Sequence, residues 1–566
     1  MVIKMEDSEK REEREPIGKT STPERFPNTS NEFSFWLESK VRLNPFDFVV
    51  AEHIDKSYTV GTIRELYAQS DSKGYLTDFI GNNLGDPKSE PYVERVKTTV
   101  AKVEVLRNMR VDKSEELYMP IPTGKSVFLA DFKAISSALG YDNIKGFSIP
   151  AGLIHQSYGS SFPVLVDSDY LLGPESAHMN ITGISGIAGK TSYAMFLLYS
   201  VWQTLKRKGK KMSAVIFNVK HADLLHIDEK PSDLREVDKE MYKSLGLPIE
   251  QFDKVEYFLP RDPQGGPDSD SPPASHTIYA FTLQDVHSDL DLLLAELPDP
   301  SFTLDAFTNY VRDSWQGNSV AFADSTTGKG ATGRSYNAGT WAQLIAVPDT
   351  AMGNTVYNWT GHPTPHRIKR ELRSLTSPTS GLFPSVRAPN EVLLGEKIVE
   401  NIREGKISVV DIYRISSRIQ PFIVGHVMRE IENYYRGIKS KDMFPLIIFI
   451  DELNTFAPDI EPPNEITWQI IEIARKGRGR MTSLFGSQQF KSQVHRQVWG
   501  NSSLSAIGNV GSEELSTPPY RSLDDNIKKM IPSLRQGELV LSFKKWRAPI
   551  KVTFPLAPYK RPISGH

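Results

Sequence analysis

The sequence predicts an α/β protein in which a small β-rich domain precedes a parallel sheet covered by helices. Short runs with strand character, separated by turn residues, fill residues 31–170. A strand, a glycine-rich loop, a helix and a second strand follow one another between residues 179 and 219, which is the order of a βαβ unit. The apolar run LIIFI at 446–450 is typical of a central parallel strand covered on both faces.

Length and composition limit the class of protein. The 566 residues suffice for two or more domains, and 39% hydrophobic with 24% charged residues fits a globular chain. The absence of cysteine excludes disulfides, thiolate zinc sites and cysteine nucleophiles. No apolar run reaches the roughly 20 residues of a membrane helix, and the charged N-terminus lacks the apolar core of a signal peptide. We therefore expect a cytoplasmic protein without a membrane segment.

The pattern of charged residues and of predicted strands and helices divides the chain into three parts. We expect residues 1–30, which are rich in charge, to form a disordered tail. Residues 31–175 form the β-rich domain, for which a barrel is favoured over an irregular α+β arrangement. Residues 176–566 form the second domain, with a large helical insertion at about 230–400. The predicted strands of the β-rich domain are 46–50, 58–66, 100–106, 127–130 and 164–166.

A glycine-rich segment, GISGIAGKTS, runs from Gly183 to Ser192 between the strand at 179–182 and the helix at 191–205. Glycines let the backbone turn so that its N–H groups face phosphate oxygens, and a helix N-terminus adds partial positive charge. This pattern predicts a nucleotide site whose phosphates contact Gly186, Ile187, Ala188, Gly189, Lys190, Thr191 and Ser192.

Two side chains of this loop have predicted chemical roles. Lys190 reaches the β- and γ-phosphates, and the Thr191 hydroxyl binds Mg²⁺. The usual motif has four residues between its first glycine and Gly-Lys-Thr, whereas five separate Gly183 from Gly189. The longer loop leaves affinity and turnover open, and the alternative is a glycine-rich turn with a chance GKT.

Two acids, Asp451 and Glu452, follow the apolar run at 446–450. A parallel strand delivers them to the carboxyl edge of the sheet, where ligands of α/β proteins bind. We predict that Asp451 holds the Mg²⁺ shell and that Glu452 polarises the attacking water. The alternative is a solvated acidic turn, but a phosphate loop upstream in the expected order favours the catalytic interpretation.

Polar residues further along the chain are candidates for completing the site. Gln488 ends a predicted strand and could sense the γ-phosphate. Arg475 and Arg478, with Arg480, are candidates for an arginine finger that reaches a neighbouring subunit, or for a solvated or nucleic-acid-binding turn. Arg547 lies either at a subunit boundary, close to nucleotide, or on the surface.

Two further predicted strand ends carry charged residues, and the histidines show no metal-binding pattern. Lys220 and Asp411 each end or follow a predicted strand, and each has a phosphate-site or a surface interpretation. The twelve histidines contain no HxxxH or HxxEH spacing, so we expect no zinc site.

Four segments make the sequence resemble the HerA-like ATPases of the HerA/FtsK superfamily, in particular a bacterial branch associated with antiphage defence. FDFVVAEHIDKSYTVGTIREL resembles the barrel that these proteins share with ATP synthase subunits, the HAS-barrel. The other three are MNITGISGIAGKTSYAMFLL, LIIFIDELNTFAP, and IARKGRGRMTSLFGSQQ with GELVLSFKKWRAPIKV. The resemblance covers roughly residues 35–560.

This resemblance implies a RecA-like P-loop NTPase core that uses ATP and Mg²⁺. It further implies a homohexameric ring with ATP at the subunit interfaces, double-stranded DNA in the channel, and an effector partner that is a nuclease or a sirtuin-like NADase. Three functions follow as hypotheses: a DNA translocase or helicase, a nucleotide-controlled platform that activates the effector, and, less favoured, a monomeric P-loop kinase. The net charge of −2 gives no indication of DNA binding, although the basic residues of 366–373, Lys329 and Arg334 could line a channel.

Overall fold

The computed structural model describes residues 15–91, 95–110, 116–184, 189–221, 223–231, 234–299, 301–324, 333–359, 361–376, 381–439 and 442–561. The chain forms two compact units. The first comprises residues 1–167 and 522–554, and the second comprises residues 168–521 and 555–566. The unit boundaries therefore differ from the predicted domains, because residues 522–554 belong with the N-terminal segment.

Within the described part of the first unit, six strands close into a barrel in the order β1-β2-β5-β4-β3-β6. Its interior is filled by apolar side chains such as Phe33, Phe35, Ile63 and Val103. Closure pairs every strand on both sides, so no edge stays open. The barrel prediction is confirmed. The strands are β1 Gly18–Ser21, β2 Glu32–Leu37, β3 Phe48–Glu52, β4 Ser57–Ser70, β5 Lys97–Arg110 and β6 Ser126–Leu129.

Two expectations about this unit require correction. Residues 18–21, predicted as part of a disordered tail, form β1 and pair with β2 and β6. Their sequence GKTS has no apolar alternation, so only pairing with neighbours makes them a strand. The strand predicted at 164–166 lies outside the barrel, in an antiparallel sheet of order β20-β21-β7-β8. These strands are β7 Ser148–His155, β8 Ser161–Asp167, β20 Glu538–Phe543 and β21 Ile550–Thr553.

The second unit is built on a parallel sheet. Among the described residues, nine strands lie in the order β15-β12-β11-β16-β10-β17-β18-β9-β19. Each of β9, β10, β17 and β18 is fully buried along its length. The strands are β9 Ala177–Thr182, β10 Ser213–Asn218, β11 Val255–Pro260, β12 Thr277–Tyr279, β15 Glu391–Val392, β16 Ile407–Asp411, β17 Leu446–Ile450, β18 Thr482–Gln488 and β19 Ser502–Ile507. A separate hairpin pairs β13 Val320–Ala323 with β14 Ser335–Ala338.

Helices pack against this sheet, and the one after β9 is the most buried. It is α4, Lys190–Arg207, with 13 buried residues, as expected for an apolar helix in the centre of an α/β unit. The strand that precedes the phosphate loop (β9) and the strand that precedes the acid pair (β17) flank β18. The second unit is thus a RecA-like P-loop core, as the sequence predicted.

The remaining helices belong to both units. In the first unit they are α1 Tyr75–Gly81, α2 Phe132–Ala138 and α18 Asp525–Met530. In the second unit they are α3 Ser168–Leu171, α5 Glu236–Leu245, α6 Leu283–Val286, α7 Leu290–Leu293, α8 Thr303–Asp313, α9 Trp341–Ala346, α10 Asp349–Tyr357, α11 Thr364–Leu375, α12 Leu394–Glu404, α13 Gln420–Arg436, α14 Leu453–Phe456, α15 Glu465–Lys476, α16 Arg496–Trp499 and α17 Ser512–Leu515. In the described residues, no helix is both long and apolar enough to span a bilayer.

The insertion at 230–400 is not purely helical. Its strands β11, β12 and β15 continue the parallel sheet beyond β16. The prediction missed all three; β12 has three residues and β15 two, too few for a periodic pattern to show, whereas β11 has six. The insertion therefore widens the core sheet and also adds helices around it.

Candidate nucleotide site

The candidate site lies where the parallel strands end. β9, β10, β17 and β18 run in the same direction, so the residues that follow them meet at one edge of the sheet. This edge brings together Lys190, Thr191, Lys220, Asp451, Glu452 and Ser487. Ligands of open α/β sheets bind at this edge.

Lys190 is the first residue of α4. Gly189 precedes it in the left-handed conformation, with φ 59° and ψ 35°, which glycine adopts without strain. The Lys190 side chain is buried, and its Nζ lies 3.5 Å from Glu452 Oε1. Burial lowers the pKa of Lys190, and the attraction of Glu452 only partly offsets this effect. The predicted phosphate contacts of Gly186, Ile187 and Ala188 lie outside the described residues, and Ser192 lies in the first turn of α4.

A hydrogen bond joins the phosphate-loop motif to the acid motif. Thr191 Oγ1 donates to Asp451 Oδ2 at 2.9 Å, and the two residues are 260 positions apart in sequence. The Asp451 carboxylate is 2% exposed and also accepts from the Glu452 N–H and from Ser487 Oγ. Burial by itself would raise the pKa of Asp451, but Lys220, Ser487 and the other donors hold it below its ordinary value. Asp451 is therefore an anion at neutral pH.

Glu452 follows β17 with a backbone that few non-glycine residues adopt. Its φ of 51° and ψ of 49° lie in the left-handed region, at the point where α14 begins. Such conformations cost free energy and occur preferentially at functional sites. Glu452 Oε1 accepts from Lys220 Nζ at 2.5 Å and lies 3.5 Å from Lys190 Nζ. One carboxylate oxygen thus faces two lysines.

Two further residues lie at this edge: Lys220, for which the sequence left a phosphate-site and a surface interpretation open, and Ser487, which the sequence did not assign. Lys220 lies two residues after β10, and its Nζ is 3.1 Å from Asp451 Oδ2. Burial lowers the pKa of Lys220, but Asp451 and Glu452 raise it above its ordinary value. Of the SQQ segment that ends β18, the buried Ser487 and not Gln488 contacts Asp451. The pattern that could have identified both residues is a polar side chain at or just beyond the end of a parallel strand.

Gln488 lies next to Ser487 but is held by a different set of partners. Its Nε2 donates to Asn180 Oδ1 and to Thr182 Oγ1, each at 2.8 Å. Its Oε1 accepts from Asn180 Nδ2 at 3.2 Å. The fully buried amide therefore ties β18 to β9. Its role as a γ-phosphate sensor stays a prediction, and contact with phosphate would require these bonds to rearrange.

The arginine candidates have different surroundings. Arg475 pairs with Glu472 at 3.2 Å while its side chain stays more than half exposed, and Arg480 pairs with Glu432. Arg478 is exposed, and within the described residues its side chain forms no ion pair. The roles of Arg475 and Arg478 in a neighbouring subunit stay predictions.

Arg547 belongs to the first unit. It pairs with Glu116 at 2.8 Å, donates to the Tyr118 hydroxyl at 2.9 Å, and lies over the Tyr118 ring. These contacts hold the guanidinium on the surface of its own unit, and its nucleotide role stays a prediction.

The site suits a magnesium ion that is bound together with phosphate. In the part of the chain that the structure describes, no group of three or more His, Asp or Glu side chains could hold a metal. Mg²⁺ commonly takes only one or two carboxylates and fills its other positions with water and phosphate oxygens. The charged Asp451 and the hydroxyl of Thr191 fit this requirement.

No protein-family model matches the sequence, and no curated protein is similar to it. Several solved structures are similar to the chain. VirB4 of Thermoanaerobacter pseudethanolicus is 14% identical, over 73% of this chain and 97% of that chain, with a TM-score of 0.40. Plasmid coupling protein TrwB in complex with ADP and Mg²⁺ is 13% identical, over 71% of this chain and 89% of that chain, with a TM-score of 0.42.

A third similar structure covers less of the chain. The genome packaging NTPase B204 from Sulfolobus turreted icosahedral virus 2, in complex with ATP-γS, is 14% identical, over 28% of this chain and 72% of that chain, with a TM-score of 0.21. Because all three TM-scores are below 0.5, the function of this chain is inferred from its own residues.

Proposed function

We propose that this chain is a Mg²⁺-dependent ATPase of the HerA/FtsK superfamily that binds ATP at the carboxyl edge of its parallel sheet. The observation that carries this proposal is the 2.9 Å hydrogen bond from Thr191 to Asp451. It joins two motifs, 260 residues apart, that the sequence predicted to hold the same metal ion. A chance glycine-rich turn and a chance acidic turn have no reason to meet in this way.

The chemistry divides among four side chains. Thr191 and Asp451 would hold Mg²⁺, which neutralises charge on the phosphates. Lys190 binds the β- and γ-phosphates from the start of α4, where the helix N-terminus adds positive potential. Glu452 accepts a proton from the water that attacks the γ-phosphorus, while the bond to the bridging oxygen of ADP breaks. The products are ADP and inorganic phosphate.

The test is ATP turnover and nucleotide binding by two site variants. Wild type should release phosphate from ATP in the presence of Mg²⁺ and stop when EDTA removes the metal. Glu452→Gln should still bind ATP but lower turnover by about 100-fold or more, because a positioned base contributes about 10²–10⁴-fold. Lys190→Ala should lose binding and turnover together. Lys208→Ala, an exposed lysine just after α4, is the matched control and should behave as wild type. Normal turnover by Glu452→Gln would show that the water-activating residue is misassigned.

At a finer level, we propose a homohexameric ring that works on double-stranded DNA with a nuclease or sirtuin-like NADase partner in antiphage defence. The sequence segments that resemble HerA-like ATPases support this assignment. The exposed Arg478, which has no acidic partner among the described residues, supports a finger that acts in a neighbouring subunit. In this form the ring acts as a translocase or helicase.

The alternative is a ring that assembles and activates its effector without processive translocation. The net charge of −2 and the five-residue spacing in the phosphate loop favour this alternative. The two are separated by the ATPase rate with and without duplex DNA, alone and with the product of the neighbouring gene. Stimulation by DNA without the partner supports the translocase, whereas dependence on the partner with no effect of DNA supports the platform.

A further inference from the structure

Lys220 occupies a position that ATP hydrolysis, as proposed above, does not account for. Its Nζ is 2.5 Å from Glu452 Oε1 and 3.1 Å from Asp451 Oδ2. Its side chain is about one-third exposed, at 34%, so it is neither sealed in the core nor free in solvent. Lys220 thus forms ion pairs with both members of the acid pair.

The same oxygen of Glu452 also faces Lys190, at 3.5 Å. Two lysines and two carboxylates therefore balance each other at the sheet edge. A triphosphate adds negative charge to this balanced cluster, so a lysine that turns to phosphate must give up a carboxylate. While both lysines hold Glu452 Oε1, that oxygen is poorly available to accept a proton from water.

We propose that Lys220 senses the γ-phosphate: it moves from Glu452 to the terminal phosphate of ATP and thereby releases Glu452 to activate water. This inference rests on the proposed ATPase function and names a further residue of the same site. With ADP bound, no γ-phosphate reaches Lys220, and its pair with Glu452 stays intact. Release of the base is then coupled to the presence of a hydrolysable substrate.

The geometry favours the γ-phosphate over the inner phosphates. Lys190 approaches from the phosphate loop and α4, whereas Lys220 approaches from the end of β10, the strand that pairs with β17. Both nitrogens contact Glu452 Oε1, and Glu452 is the residue assigned to the attacking water. Both nitrogens therefore lie beside the position of that water and of the phosphorus that it attacks. A terminal phosphate, with three non-bridging oxygens, can engage both lysines.

The competing explanation is a structural ion pair. In that case Lys220 serves only to hold Glu452 in its left-handed conformation and never touches nucleotide. Removing Lys220 would then change the binding of ATP and ADP by the same factor. The difference between the two nucleotides therefore decides between the explanations.

The experiment is calorimetric titration of the full chain, in Mg²⁺, with ADP and with the non-hydrolysable analogue ADPNP. Lys220→Met keeps the length of the side chain and removes its charge. A hydrogen bond to a charged group is worth about 1.5–3 kcal/mol, so the Kd for ADPNP should rise about ten- to a hundredfold. The Kd for ADP should stay within roughly twofold, because Lys220 makes the same contacts with and without ADP.

Three further variants complete the test. Lys220→Arg keeps the charge and should retain most of the preference for ADPNP. Lys208→Met is the matched control and should keep both Kd values. In Glu452→Gln, Lys220 is released from its carboxylate in advance, so ADPNP should bind at least as tightly as to wild type. The ratio of the two Kd values is measured within each preparation, so a partly unfolded sample does not change it.

The outcomes separate the two proposals. If Lys220→Met changes neither Kd, or raises both equally, while Lys190→Ala still abolishes binding, Lys220 is a structural ion pair and only this inference is overturned. If wild type binds neither nucleotide, the ATPase proposal fails and this inference fails with it.

Discussion

Asp411 ends β16 and Asp451 follows β17, two strands that both neighbour β10, and both residues are 2% exposed, yet the pKa values of their carboxyls shift in opposite directions. Lysines and hydroxyls around Asp451 outweigh burial and lower its pKa. For Asp411, burial raises the pKa to about 6, because hydrogen bonds from the Asn218 amide and the Tyr413 N–H compensate only partly. Of the two, Asp451 has the lower pKa and is the better suited to hold a cation.

The raised pKa of Asp411 predicts a dependence of stability on pH. The folded state holds its proton up to about pH 6, whereas the ordinary value is 3.8. The contribution of Asp411 to the free energy of unfolding is therefore greatest below about pH 4, falls as pH rises through this window, and stays reduced above pH 6. Asp411→Asn, which is neutral throughout, should raise the unfolding temperature at pH 7.5. The gain is at most about 3 kcal/mol, since one pKa unit corresponds to about 1.4 kcal/mol.

The measurement is the thermal midpoint of wild type and Asp411→Asn at pH 4.5 and pH 7.5. The variant should gain much more at the higher pH. An equal difference at both values would mean that the carboxyl of Asp411 carries no such penalty.

Single residues of the site were predictable to different degrees. Lys190, Thr191, Asp451 and Glu452 stand in local motifs, so the sequence alone predicted them as site residues, and the fold brings them together. For Lys220 the sequence left a phosphate-site and a surface interpretation open, because only the neighbouring positions of β10 and β17 bring it to the acid pair. Sequence alone does not give the order of strands in a sheet.

The packing of β18 against α14 links two elements of the site. Gly486 in β18 has no side chain, and a Cβ built there would lie 2.4 Å from Leu453 Cδ2. Leu453 is the residue after Glu452, at the start of α14. A side chain at 486 must therefore displace the element that positions the proposed base.

Gly486→Ala should lower ATP turnover about tenfold and lower stability by about 1–3 kcal/mol, the usual cost of overpacking. Gly511→Ala is the matched control, because a Cβ at 511 meets no atom within 4 Å. Adding Leu453→Ala to Gly486→Ala should restore part of the turnover, because the two residues contact each other and their effects are coupled. Turnover rates and urea midpoints of the four proteins check this prediction, and a double variant no better than Gly486→Ala would contradict it.

Helices and strands were predictable from the sequence where their pattern was long or strongly apolar. The predicted strand at 446–450 matches β17, and the helix predicted at 191–205 lies within α4. β1 and β15 were missed, because strands of four and two residues take their conformation from pairing partners distant in sequence. Local propensity does not contain that information.

At the scale of the whole molecule, the proposed ring requires each subunit to complete the nucleotide site of the next subunit. A closed ring uses heterologous interfaces, so an arginine on one face can reach nucleotide held by the other. Arg478, exposed on the turn after α15, is the best-placed candidate, since Arg475 and Arg480 already pair with Glu472 and Glu432.

Mixing inactive subunits tests this arrangement. Arg478→Ala should lower turnover by about 10³-fold or more while ATP still binds, as expected for an arginine finger. Lys190→Ala lacks a working nucleotide site but keeps Arg478. Mixed rings of the two variants should regain measurable turnover, whereas either variant alone should not. Sedimentation of the mixture establishes that mixed rings have formed, and a lack of recovery in such rings would place Arg478 outside the neighbouring site.

The pairing of β21 with β7 has a consequence for how the chain is made. Thr553 and Leu153 face each other across these strands, although 400 residues separate them. A ribosome that adds about 5–20 residues per second needs about 20–80 s to cover that distance. During this interval β7 is paired only with β8, and its other edge is open to any strand that it meets. Slower translation of the intervening segment lengthens the time during which a nascent chain can pair wrongly or aggregate.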